Sequence, residues 1–412
     1  MSASNNNSST QPLTISIVGA GIGGLTAAVA LRHNGHSVQI FEAVEIKTEI
    51  GAAVTVQNNS LKVHDHIGVV RKNLRGLPWE GAVMMGSDGS EPVTYKWQVP
   101  GMEANGLLVH RSDLYEELKR LATEIEGQGP PAKLRLGTKV VACDPETATL
   151  TLENGEVIQA DVLIGADGIH SVVRDHVLQQ VVHSQDSGLS CFRLIFETTK
   201  MRDIPELGWL YDGVVGTRSV VSTEGPLRML YIYPCRDGTL MNVVAFYSDT
   251  SDAKAGWSGH ATVDEFKTVF HDFHPKFFYL LDLPLHSPIH KWKLRVLPLL
   301  PTWIRGRTAL LGDAAHATLP HLGQGAGMAV EDGGALGCLF PAGTRAEDVP
   351  DRLKAYEELR KERGEFIRAE SVDQMEKGFD LYKNKELQMK LLAYEPIEAA
   401  QQFYQERFAG VN

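Results

Sequence analysis

The sequence predicts an α/β protein. A parallel sheet holds a dinucleotide, a mostly antiparallel sheet is inserted into it, and the C-terminus is helical. Three observations carry this. An apolar strand runs into Gly19-x-Gly21-x-x-Gly24 and then a helix, and an acid, Glu42, closes the next strand. Two later strands, around 161–165 and 307–312, also end in glycine-rich turns ahead of helices. Between these two, over 190–295, the α/β rhythm gives way to β runs with one clear helix.

The first unit is specific in its physics. Ile15, Ile17 and Val18 make the strand, and Ala27 to Leu31 pack into the helix. The helix stops at Asn34-Gly35, where glycine suits a left-handed terminus. In such a turn Gly19 allows the tight bend, Gly21 lets backbone approach a pyrophosphate, and Gly24 lets helix pack on strand. The helix N-terminus favours negative charge, and Glu42 can bind a ribose diol. A Rossmann-like dinucleotide site is the expectation. Further on, the small residues Gly51 to Ala53 either let a planar ligand pass close to backbone or form a plain loop. A helix is expected from Ser60 to Ile67.

Residues 76–109 read as hairpins and loops, with Asp88-Gly89 as a turn. A helix follows to Ile125, capped by Ser112 or Asp113. Arg111, just before that cap, reads either as a phosphate or ribityl contact or as a surface arginine. Glu153-Asn154-Gly155 turns a hairpin. The buried strand Asp161 to Gly165 then runs into Asp167-Gly168, with Ser171 and Arg174 beyond.

In the inserted region the β runs are Cys191–Thr198, Val214–Val221, Arg228–Pro234 and Thr239–Tyr247, with a helix over Thr262–Asp272. Strand alternation places Met229, Tyr231 and Tyr233 on one face. The strand Arg307 to Gly312 opens the third turn, Asp313-Ala-Ala-His316, which continues through Pro320-His321-Leu-Gly323-Gln-Gly325-Ala326-Gly327. A helix is expected over Met328–Leu339, with Glu331 and Asp332 in its first turns. Helices are expected over Val349–Glu370, Ser371–Tyr382 and Glu395–Arg407.

Composition narrows the function. A net charge of −11 argues against a nucleic-acid partner. Cys143, Cys191, Cys235 and Cys338 lie far apart with no CxxC, which argues against a zinc ribbon or a redox dithiol. His271 and His274 form an HxxH without acidic or thiol companions, so no metal site is expected. The polar first residues have no basic or apolar signal region, and no run of 18 apolar residues appears, so the chain reads as cytoplasmic without a membrane span.

The three signatures, GxGxxG at 19–24, GADG with Ser171 and Arg174, and GDAAH followed by Pro320, together resemble the FAD-dependent aromatic-ring monooxygenases. The likeness is to the para-hydroxybenzoate and salicylate hydroxylase type over roughly residues 13–375. Its flavour is the salicylate hydroxylase-like branch, which includes fungal phenol hydroxylases of secondary metabolism and dearomatising enzymes.

The resemblance implies a glutathione-reductase-like FAD-binding domain, NAD(P)H as a transient cosubstrate, and O₂ activated as a C4a-hydroperoxyflavin that attacks a small aromatic substrate. It implies cofactor-binding roles for Gly19, Gly21, Gly24, Glu42, Ala53, Arg111, Asp167, Gly168 and Asp313. It implies the same for Pro320, Gly323, Gly325, Ala326 and Gly327, whose loop faces the flavin ring. Arg193 matches the branch's YR-like position. With Tyr231 or Tyr233 it is a candidate catalytic residue that polarises a phenolate or carboxylate; surface pairing and core packing are the other readings. His321 reads as a proton relay or a structural histidine, and His316 as structural. The loop departs from many relatives, which have Pro followed sooner by Gln-Gly.

The expected layout is a disordered tail over 1–12 and an FAD-binding domain over 13–189 and 296–345, with a hairpin excursion near 76–109. A substrate domain spans 190–295, and C-terminal helices over 346–412 could serve a homodimer. Alternatives on the same fold are epoxidation, urate-type hydroxylation, oxidative dearomatisation, decarboxylative hydroxylation, and a non-catalytic flavoprotein.

Overall fold

A computed structural model describes residues 11–45, 53–102, 104–249, 258–283, 288–377 and 380–409. Gly51 and Ala52 lie outside the described residues; Ala53 begins a strand, Ala53–Val56.

The first sheet has six strands in the order Ile304–Arg305, Thr308–Leu310, Val162–Gly165, Thr14–Val18, Ser37–Phe41, Lys133–Arg135. All pairs but the first are parallel. Ile17 stands between Ile40 and Ile164, and the central strands are buried along nearly all their length. The helix Ile22–His33 runs over the sheet as expected and ends at Asn34, with Gly35 at φ +83°. It lies directly against Gly325–Leu339. A Cβ on Gly333 would fall 2.8 Å from the Ala27 nitrogen, and one on Gly337 would fall 2.7 Å from the Ala30 Cβ. Small residues one helical turn apart therefore set the close approach of the two helices.

The second sheet has eight strands, ordered Ser258–Ala261, Ile289–Val296, Gln185–Glu197, Leu240–Ser248, Arg228–Cys235, Gly216–Val221, Gly81–Gly86, Val93–Lys96. The hairpin around Asp88-Gly89 was expected as an excursion of the first domain. It is instead the edge of this sheet, because Gly81–Gly86 pairs in parallel with Gly216–Val221. Alternation along Gln185–Glu197 sends Phe192, Leu194 and Phe196 into a phenylalanine-rich core with Phe266, Phe270 and Phe277. Its other face carries Cys191 and Arg193 towards the first sheet.

Several boundaries differ from the sequence reading. The helix expected from Ser60 begins at Asn58, and the one expected from Met328 begins at Gly325. The helix Arg111–Thr123 is capped by His110, whose Nδ1 accepts the Ser112 N–H at 3.4 Å, and not by Ser112 or Asp113. Val349–Lys377 is one helix of 29 residues with no break at Ser371. A further helix, Lys385–Leu392, was missed, and the final helix expected over Glu395–Arg407 is Pro396–Tyr404 continued by a π-helical turn, Gln405–Ala409. Among the described residues no helix is long and apolar enough to cross a membrane.

His64, on Asn58–His66, is fully buried, and among the described residues neither ring nitrogen has a hydrogen-bond partner. Burial lowers its pKa to about 4. The unfolded chain therefore binds a proton that the folded one refuses between pH 6.5 and 4, and this contribution to stability falls as pH falls. His64→Leu should remove about 2–3 kcal/mol of the loss of unfolding free energy between pH 7 and pH 4.5. Urea unfolding at both values checks this; an unchanged difference contradicts it.

Candidate active site

Three parallel strands, Thr14–Val18, Val162–Gly165 and Thr308–Leu310, point their carboxyl ends at one groove. At the first, Gly19 has φ +102° and its N–H donates to the Phe41 carbonyl at 2.8 Å. A Cβ on Gly19 would lie 2.2 Å from the Ala166 oxygen, and one on Gly24 would lie 2.1 Å from the Gly19 oxygen. A Cβ on Gly21 would meet no atom within 4 Å, because it would project into the groove. The Glu42 carboxylate is anchored on the same turn, accepting from the Ala20 N–H at 2.9 Å and the Val44 N–H at 3.2 Å.

At the second strand end, Asp167 accepts from the Ser171 hydroxyl at 2.5 Å and from the Val172 and Val173 N–H groups at 2.8 and 3.1 Å. Burial pushes its pKa up in spite of these bonds. Arg174 is turned inward, donating to the Ile169 and Val182 carbonyls at 3.0 Å each and to Ala314 at 3.4 Å. It ties the second turn to the third.

The third turn is held from behind by charge. Asp332 accepts from the Gly312 N–H at 3.0 Å, His316 Nε2 at 2.7 Å and Arg360 Nε at 2.9 Å. Glu331 pairs with Arg360 at 2.7 Å and Arg363 at 2.8 Å. Burial opposes ionisation of Asp332, but His316 and Arg360 outweigh it and hold the pKa at about 2. The helix begins earlier than expected, so Glu331 and Asp332 lie beyond its first turn and are fully buried. His316 is structural, as expected. Asp313 stays exposed to the groove.

The groove runs through three cavities. One of about 380 Å³ is lined by Gly19, Gly21, Glu42, Asp167 and Gly168. A second of about 160 Å³ shares Gly21 and Gly168 and adds Gly24, Arg111, Asp313, Gly325 and Ala326. A third of about 270 Å³ shares Arg111, Asp313, Gly325 and Ala326, and reaches Ala53, Pro320, Gly323, His321, Arg193, Tyr231 and Tyr233. Of the residues expected to bind cofactor or act in catalysis, Gly327 alone does not line the groove; a Cβ there would sit 3.2 Å from the Gln324 side-chain oxygen.

At the third cavity the register of the large sheet sets the geometry. His290, Arg193, Val244, Tyr231, Ser219 and Met84 stand opposite one another on successive strands, so they share a face. The Arg193 guanidinium lies 5.5 Å from the centre of the Trp292 ring, and no carboxylate of the described residues pairs with it. Tyr233 is buried and Tyr231 half-buried, and loss of solvation pushes both phenols well up, so they stay protonated. The Tyr231 hydroxyl is 3.5 Å from that of Tyr382, itself 3.2 Å from the Thr217 hydroxyl. His321 Nδ1 lies 3.0 Å from the Ser371 carbonyl, which can only accept, so that nitrogen carries the proton. Burial lowers its pKa. Sequence reasoning missed Tyr382, Leu381 and Gln374, which close the cavity from the C-terminal region.

A family profile described as "FAD binding domain" matches residues 13–371. The chain belongs to this family. It is 41% identical over 400 residues to the hispidin-3-hydroxylase of Neonothopanus nambi, covering 93% of this chain and 94% of that one. It is 29% identical over 383 residues to the salicylate hydroxylase of Pseudomonas putida, covering 86% and 83%. A solved salicylate hydroxylase substrate complex superposes with a TM-score of 0.76 at 26% identity, covering 95% of this chain and 98% of that one. The chain is an FAD-dependent monooxygenase of the aromatic-hydroxylase type, with NAD(P)H use implied by the family. The groove fits the cofactor: a Cβ on Gly21, Gly168 or Gly325 would meet only open space.

A branched side chain at Gly21 would fill that space. Gly21→Val should weaken FAD binding at least about tenfold, or about 1.4 kcal/mol, with the far-ultraviolet circular dichroism unchanged. Fluorescence titration with FAD measures it; native affinity would contradict the placement.

Proposed function

We propose that this monooxygenase hydroxylates an electron-rich ring that binds as an oxyanion, hispidin or a near relative of it, between Arg193 and the ring of FAD. The observation that carries this reading is the Arg193 cation, which no carboxylate of the described residues meets, half-buried in a cavity walled by Tyr231, Tyr233, Phe246 and Met229. A guanidinium without a carboxylate in such surroundings favours an anionic ligand. The similarity to a hispidin-3-hydroxylase across nearly the whole chain supports the choice of ring.

When bound, FAD takes hydride from NAD(P)H and activates O₂. The chain's residues orient and enclose. Gly19, Gly21, Gly24 and Glu42, with Asp167 and Gly168, would hold the ADP end. Arg111 and Asp313 would hold the ribityl chain. Ala53 and the loop Pro320, Gly323, Gly325, Ala326 and Gly327 would hold the ring, where backbone N–H groups ahead of Gly325–Leu339 favour negative charge. Arg193 holds the substrate oxyanion and so keeps its ring electron-rich. Tyr231 and Tyr233, as neutral phenols, hydrogen-bond the substrate and exchange no net charge. Met229, Val244 and Phe246 exclude water. His321, through Ser371, ties the loop to the long helix.

Hispidin should stimulate NAD(P)H oxidation and gain one oxygen atom, and salicylate tests decarboxylative hydroxylation by its loss of CO₂. Arg193→Ala should keep FAD bound and lower kcat/KM for the oxyanion by about 10- to 100-fold. Steady-state kinetics of Arg193→Ala and the wild type with both substrates decide it; an unchanged kcat/KM removes Arg193 from the site.

A further inference from the structure

A chain of buried amides joins the charge cluster to the loop at 320–327. Arg363 donates to both Glu331 oxygens at 2.8 Å, and Asn59 Nδ2 donates to Glu331 Oε1 at 2.6 Å. Asn59 Nδ2 also donates to Gln324 Oε1 at 2.9 Å. Gln324 Nε2 donates to Gln57 Oε1, and Gln57 Nε2 donates to the Leu322 carbonyl at 2.7 Å. Glu331, Asn59, Gln324 and Gln57 are at most 1% exposed.

The direction of this chain is determined at its charged end. Burial opposes the ionisation of Glu331, but Arg363 and Arg360 outweigh it and hold its pKa down. An ionised carboxylate only accepts, so Asn59 must turn its NH₂ towards it. The second Asn59 hydrogen then requires the Gln324 oxygen, which leaves the Gln324 NH₂ for the Gln57 oxygen and the Gln57 NH₂ for Leu322. An amide turned at any point would set donor against donor or acceptor against acceptor in a dry site.

We infer that Glu331, Asn59, Gln324 and Gln57 are positioning residues. Their one-way hydrogen-bond chain pins the Leu322 carbonyl and so aims the following backbone N–H groups at the flavin ring, tuning how readily that ring is reduced. This rests on the reading that residues 320–327 face the ring. Gln57 joins the strand Ala53–Val56 to the helix Asn58–His66, which carries Asn59, so the loop is held from outside its own segment.

Two variants test it. A carboxylate at Gln324→Glu cannot donate to Gln57, which then turns and releases Leu322. Gln57→Leu removes both links made by Gln57, to Gln324 and to Leu322, and leaves the ion cluster whole. Both should bind FAD within about threefold of wild type, shift the visible absorption of the bound flavin, and slow its anaerobic reduction by NAD(P)H about tenfold. A wild-type spectrum and reduction rate in both variants overturns the inference alone. Wild-type protein that binds no FAD overturns the underlying reading, and the inference with it.

Discussion

Glu331 and Asp332 stand side by side in the interior, and the shape of the site depends on how their charge is met. Two adjacent carboxylates without water are untenable unless paired, and removing one partner of such a group costs about 3–5 kcal/mol. Arg360 and Arg363, on the 29-residue helix, meet the need, together with His316 and the Gly312 N–H. Those same bonds do three things at once. They bind the long helix to Gly325–Leu339, hold the turn that presents Asp313, and reach through Asn59 to the loop before Gly325. A single buried cluster thereby holds the backbone ahead of Gly325, the segment that the proposed reading sets against the flavin ring.

Around that cluster the division of labour follows from the two sheets. The parallel sheet offers strand ends and small turns, and its glycines leave room where a side chain would project into the groove. The antiparallel sheet offers a row of side chains in register, which carries Arg193 and Tyr231 to the far end of the same groove. On the proposed reading, binding the dinucleotide and choosing the ring are tasks of separate sheets, and Arg111, Asp313, Gly325 and Ala326 border both cavities.

What could be read in advance follows the range of the forces involved. Gly19, Gly21 and Gly24 were legible because their roles are local backbone geometry. Tyr231 and Tyr233 were placed together because strand alternation is local too. The hairpin at 81–96 was assigned to the first domain because its parallel partner, Gly216–Val221, is remote in sequence and leaves no mark nearby. Glu331 and Asp332 read as polar residues of a helix start, since their arginines come from another helix. Tyr382 escaped notice because it sits on a short turn after the long helix, and only tertiary packing brings it to Tyr231.

The central claim is that one groove, from Glu42 to Arg193, takes FAD along its length and leaves the Arg193 end for substrate. A crystal structure of the protein with FAD bound tests it most directly. The account predicts the adenosine ribose at Glu42, the flavin ring against Gly323 to Gly327, and Arg193 facing the open side of that ring with no protein carboxylate beside it. A flavin ring bound away from that loop, or an Arg193 engaged by a carboxylate of the chain, would contradict it.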